Sequence, residues 1–214
     1  MRKFIIIDFE IFTKEKLPNI GTDGFALYCY LASSKGILKT NYTEMKYIKS
    51  FFKGVDGFSD NRTINKNLDN LHKYGIIKIN RVGNLIEYEI NEDIKQFLMF
   101  PVDVFENEIG NIGCIGFTLL CLLSKLHNNS YGSITSEGFS NPSQEYLAMI
   151  LGIHRMTVIK YMELLERQKF IKREVQELRC EDNDYGGKEF QRHTNHYFVQ
   201  HILNERNKYY IKQE

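Results

Sequence analysis

The chain has 214 residues, a formal net charge of +1, 43% hydrophobic and 26% charged residues, a globular balance that excludes an intrinsically disordered chain. The length suits one large domain or two small ones. A charge this close to zero provides no global basic field, so any nucleic-acid surface has to concentrate its cations on one face.

The N-terminus leads into an apolar run of only four residues, Phe4 to Ile7, shorter than the roughly 7–15 of a signal peptide. No window is expected to reach the ~18 apolar residues of a membrane span, which predicts a cytoplasmic protein with no membrane partner. Three helices follow, expected over Gly24–Ser33, roughly Thr43–Phe52, and Asn61–Tyr74. The joint between the second and third, Gly54 to Asp60, is longer than a tight helix-turn-helix joint by about five residues. A hairpin is expected over Ile76–Arg81 and Leu85–Ile90, turning at Val82-Gly83-Asn84, before the polar joint Asn91-Glu92-Asp93.

The second half opens on another apolar stretch, Phe97 to Phe100, and an apolar helix expected over Gly116–Leu126. Pro142-Ser143-Gln144-Glu145 starts a helix through Leu151, and Gly152 ends it, as a residue free to take positive φ. The turn Ile153-His154-Arg155 leads into a third helix that buries Val158, Met162 and Leu165 at i, i+4, i+7. A strand from Phe170-Ile171 through Leu178 and a return over Thr194–Val199 make a second hairpin. The tail beyond Gln200 carries Ile202, Leu203, Tyr209 and Tyr210 in an amphipathic pattern.

The halves are copies of each other. N-I-G-x-x-G-F-x-L-x-C-x-L runs from Asn19 to Leu31 and again from Asn111 to Leu123, an offset of 92. Phe9-Glu10-Ile11-Phe12 pairs with Val102-Asp103-Val104-Phe105 at offset 93, and Thr63-Ile64-x-Lys66-x-Leu68-x-x-Leu71 with Thr157-Val158-x-Lys160-x-Met162-x-x-Leu165 at offset 94. Drift of that kind is what duplication followed by loop changes produces. It divides the chain into 1–93, 94–200 and a C-terminal tail helix, 201–214. Helix, helix, turn, helix, hairpin is the order of a winged helix. The expected fold is therefore mainly α with small β-hairpin wings (α+β), as two tandem winged helix-turn-helix domains.

The residues Pro142-Ser143-Gln144-Glu145-x-Leu147-Ala148-x-x-Leu151-Gly152-Ile153-x-Arg155-x-Thr157-Val158-x-x-x-Met162-x-x-Leu165, followed by Phe170-Ile171 and Thr194-Asn195-x-Tyr197, resemble the helix-turn-helix domain of many phage and plasmid replication proteins. They are also similar to the N-terminal domain of DnaD-type primosome proteins and, more loosely, to GntR-type regulators. The likeness covers about 100 residues of the second half; the first half matches mainly in its first helix and in Arg62-Thr63-Ile64, Leu71 and Gly75-Ile76-Ile77. Lys169 stands where the family usually has glycine. The resemblance implies sequence-specific double-stranded DNA binding by a replication initiator or replisome organiser of a plasmid or phage, acting at origin repeats with a helicase loader as partner. A transcriptional repressor of a mobile element and a protein-interaction module are the alternatives. It also implies that the apolar N-terminal segments support a homodimer; from the residues alone, they can pair with each other or with a second chain.

In such folds the third helix enters the major groove. In the second half that helix offers His154, Arg155, Thr157, Ile159 and Lys160. Arg155 suits guanine O6/N7, Ile159 a thymine methyl or a subunit contact, and Thr157 a helix cap or a phosphate. In the first half the set is Asn61, Arg62, Thr63, Asn65, Lys66 and Asn70, whose asparagines suit adenine or form a merely solvated face. Lys172, Arg173 and Arg192 on the second wing are expected on phosphates, with Lys78 and Arg81 marking the first wing. Two such helices on one duplex would cover about two turns, ~20 bp.

No catalytic residue, metal site or cofactor is expected. Gly110-x-x-Gly113-x-x-Gly116 lacks the Lys-Ser/Thr of a P-loop and is read as a turn leading into the helix. Cys180, His193 and His196 make a poor zinc set, because strand residues three apart face opposite ways. The four cysteines, without a C-x-x-C pair, read as buried reduced thiols.

Overall fold

The computed structural model describes residues 3–34, 41–91, 94–129, 140–174, 179–182, 188–191 and 195–199. It is an α+β mixture, 56% helical with small antiparallel sheets. The first half runs β1 (Phe4–Asp8), a 3-10 turn (Phe9–Phe12), α1 (Leu17–Ser33), β2 (Asn41–Glu44), α2 (Met45–Phe51), α3 (Asn61–Lys73), β3 (Ile77–Val82) and β4 (Leu85–Ile90). The second half runs β5 (Phe97–Pro101), α4 (Val102–Asn129), α5 (Gln144–Leu151), α6 (Arg155–Arg167), β6 (Ile171–Glu174), β7 (Arg179–Asp182), β8 (Lys188–Gln191) and β9 (His196–Val199).

In the first half β2, β4 and β3 form one antiparallel sheet in that order, with Thr43 opposite Ile86 and Ile79 opposite Tyr88. The second half repeats the arrangement in reduced form. β6 pairs with β9, and on the other side of β9 a single bridge, Ser140 to Tyr197, stands where β2 stands in the first half. The apolar starts of the two halves pair with each other: β1 runs antiparallel to β5, with Ile6 opposite Met99. This ribbon buries Ile5, Ile7, Leu98 and Phe100 on one side, because alternate strand residues face opposite ways. Tyr28 of α1 fastens it by donating its hydroxyl proton to the Ile6 carbonyl at 3.0 Å.

Several elements depart from the sequence expectation. The first helix of each half starts earlier than Gly24 and Gly116, at Leu17 and Val102, and is broken at Gly21 (φ 71°, ψ 169°) and Gly113 (φ 66°, ψ 175°). A helical segment thus precedes each glycine, and Gly21 and Gly113 turn the chain into the longer apolar helix behind them, as expected, at angles that only glycine adopts freely. The expected helix over Thr43–Phe52 gives way at its start to β2, since Asn41 and Thr43 are buried while Tyr42 between them is exposed, a period of two. Contrary to expectation, the stretch Val102–Leu126 is long and apolar enough to cross a membrane; 67% of its most apolar window is nevertheless buried within the protein. Counting consecutive apolar residues misses it because Asp103, Glu106, Glu108 and Asn111 interrupt the run.

One continuous apolar core joins the halves. Phe117 of α4, 1% exposed, lies among Phe25 of α1, Phe100 of β5 and Phe105, with ring centroids 6.0, 5.1 and 4.7 Å away. The long joint before α3 has a packing role. It carries Phe58 into the core, where the ring stacks on Phe52 with centroids 3.8 Å apart.

Gly75, after α3, has φ +69°, and its counterpart at offset 94 is Lys169, whose φ of 61° makes it the one positive-φ residue other than glycine among the described residues. Holding a side chain there costs about 1–2 kcal/mol. Lys169→Gly is accordingly expected to stabilise the protein by about 1 kcal/mol in urea denaturation; an unchanged or lower midpoint would count against this conformation.

Candidate nucleic-acid interface

α3 and α6 span equivalent residues, both ends related by an offset of 94. Each packs one apolar face on the first helix of its own half and turns the other outward. In α3 the inner face is Ile64, Leu68 and Leu71, joined by Asn67, whose buried Nδ2 has no hydrogen-bond partner. Asn61, Arg62 and Lys66 are exposed, and Thr63, Asn65 and Asn70 half-buried. The helix starts on Asp60, whose carboxylate accepts from the Arg62 backbone N–H at 3.0 Å and satisfies one of the donors that a helix N-terminus leaves open. Neither Arg62 nor Lys66 meets an acidic partner among the described residues. Asn70 instead ties α3 to α1, donating to the Asn19 carbonyl at 3.3 Å. From β3, Arg81 reaches back to Asp69 at 2.7 Å and to Asn65 Oδ1 at 3.5 Å.

In the second half Ser143 caps α5, accepting from the Tyr146 N–H at 3.0 Å, and Gly152 closes it in the left-handed region (φ 66°, ψ 32°). The cap of α6 is His154, whose Nδ1 accepts from the Met156 N–H at 3.2 Å. That bond places the proton of the neutral ring on Nε2. It also corrects the expectation that Thr157 caps the helix; Thr157 lies half-buried three residues beyond the cap. Met156 is 59% exposed, Ile159 half-buried, and Lys160 exposed with its Nζ 5.9 Å from the Tyr161 ring. The Arg155 guanidinium rests on the first turn of α5, with Nη2 2.9 Å from Gln144 Oε1 and Nε 2.8 Å from Glu145 Oε1. Exposed pairs of this kind contribute only about 0–1 kcal/mol, little to set against a bidentate contact with guanine. On the strands, Lys172 pairs with Glu174 at 2.8 Å and Arg173 with Glu166 at 3.1 Å. Beyond them β7 and β8 continue as a ribbon that no sequence signal divides from the first strand, with Asp182 opposite Lys188 in register. Arg192, His193 and the tail helix 201–214 lie outside the described residues.

The site residues that sequence reasoning missed are the partners that hold the cations: Gln144, Glu145, Asp69, Glu166 and Glu174. Most come from neighbouring elements, so no helical or strand spacing announces them. Between the two exposed faces, Asp23 of α1 and Cys114 of α4 lie together. Burial raises the Asp23 carboxyl above its usual range despite its hydrogen bond with the thiol, and burial pushes the Cys114 thiol well up. Cys29 and Cys121 are fully buried and raised in the same way. All three are free thiols, in the un-ionised form that does not act as a nucleophile at neutral pH.

Compared with protein-family models, with characterised proteins and with solved structures, the chain gives no match.

Proposed function

We propose that this chain binds double-stranded DNA in a sequence-specific way through two tandem winged-helix units, residues 1–93 and 94–200. The observation that carries the reading is the first half's order of helix, strand, helix, helix and hairpin. β2 pairs with β4, the last strand of the hairpin, in the order β2-β4-β3, and α3 packs on α1 and β3 with an outward face of Asn61, Arg62 and Lys66. Around α6 the order recurs in reduced form, with the Ser140–Tyr197 bridge in place of β2. Lysine at the shared position, Lys66 and Lys160, suits phosphate, and the asparagines and Arg155 suit base edges.

Within that function, the resemblance of the α5–α6 segment to replication-protein domains favours an initiator or replisome organiser that binds origin repeats and engages a helicase loader. Footprinting on the protein's own genetic neighbourhood tests this choice. Protection of repeats beside an AT-rich region supports initiation, and protection of a promoter alone supports a transcriptional regulator.

The two contact types predict different losses. Lys66→Ala is expected to weaken binding about equally on all duplexes and to lower the slope of log K against log salt by about one. Arg155→Ala is expected to cost about 1–3 kcal/mol on the cognate duplex and to relax selection at one base pair. Gel shifts across a salt series, with circular dichroism to confirm folding, read both. If both variants bind with wild-type affinity, the helices do not dock this way.

A further inference from the structure

The two halves meet about a local two-fold axis. In the β1–β5 ribbon the central pair is Ile6 opposite Met99, residues separated by 93, which is the repeat offset just downstream of them. Each strand is therefore paired with its own copy, symmetrically about its midpoint. The same holds on the helices behind. Phe25 and Phe117, equivalent at offset 92, have ring centroids 6.0 Å apart, and α1 packs directly on α4. α3 packs on α1 and α6 on α4, so the axis that relates α1 to α4 relates the two outward faces as well.

Those faces are not copies. Position by position, Thr63 matches Thr157 and Lys66 matches Lys160, but Asn61 is answered by Arg155, Arg62 by Met156 and Asn65 by Ile159. The matching residues are of the phosphate-binding type, and the differing ones are those that touch base edges. A two-fold axis in a protein imposes inverted half-sites on its duplex. We infer that the target is an inverted pair of unlike half-sites occupied by one chain in a single orientation, the half under α3 containing an adenine and the half under α6 a guanine or a thymine. This inference rests on the DNA-binding reading above.

Selection of binders from a random duplex library with the full chain tests it, followed by native mass spectrometry on the selected duplex. The expected result is one chain per duplex and a consensus of two different, inverted halves. Flipping one half, or building a palindrome from either half alone, should lower affinity about tenfold or more. Asn65→Ala should relax selection in one half only, and Ile159→Ala in the other. A consensus of directly repeated halves, or a true palindrome holding two chains, overturns the inference and leaves DNA binding intact. A library from which no sequence is enriched overturns both.

Discussion

Phe117→Ala will cost the fold about 3–5 kcal/mol, the range for removing a large aromatic side chain from a core that cannot fully close around the gap. Phe117 is 1% exposed, and its ring meets three others drawn from α1, β5 and α4, so the cavity opens where both halves contribute. In a chain of this size that is a fall in Tm of roughly 6–20 °C. Because the core is continuous across the halves, the variant should still unfold in a single transition by both tryptic susceptibility and circular dichroism. A loss below about 1 kcal/mol, or separate melting of the second half, would contradict a shared core.

Gly152→Ala should follow closely, at about 2–4 kcal/mol, from two additive sources. The backbone there has φ +66°, and an added Cβ would stand 2.8 Å from Pro18 Cβ and 3.0 Å from Pro18 Cα. The second figure matters more, since the backbone of α1 cannot rotate away as a side-chain tip can. Gly83→Ala is the control. It has φ +62° with no atom within 4 Å of the added carbon, so it carries only the backbone penalty of about 1–2 kcal/mol. Urea denaturation of the pair measures the contact between α1 and the α5–α6 joint as a difference. Equal losses in the two variants would mean that this contact is not made. Gly152 also sets the angle of α6, so a folded Gly152→Ala protein is expected to lose affinity for DNA through the second half first.

Much of this fold is legible in the sequence wherever a helical face is apolar and its ends are marked. Val158, Met162 and Leu165 define the inner face of α6, Ser143 and Gly152 mark the bounds of α5, and the repeated N-I-G-x-x-G-F motif discloses two copies of one unit. What escapes such reasoning depends on partners distant in the chain. β2 is a strand because β4 lies beside it, and four residues with Glu44 at their end carry too little pattern of their own. At the candidate interface, the outward positions of α3 and α6 follow from helical period alone. Whether a given side chain is free or engaged does not: the ties of Asn70 to Asn19 and of Arg155 to Glu145 depend on packing between elements.

The β1–β5 ribbon has a consequence for biosynthesis. The strand that covers Phe4 to Ile7 follows 93 residues later in the chain. At about 5–20 residues per second the ribosome needs roughly 5–20 s to deliver it. Throughout that interval a Phe-Ile-Ile-Ile stretch of high strand propensity has no native neighbour. The N-terminal half can complete its own sheet during translation, but its leading strand waits for the other half. The nascent protein is therefore most exposed to aggregation, and most in need of a chaperone, while the residues between the two strands are being made.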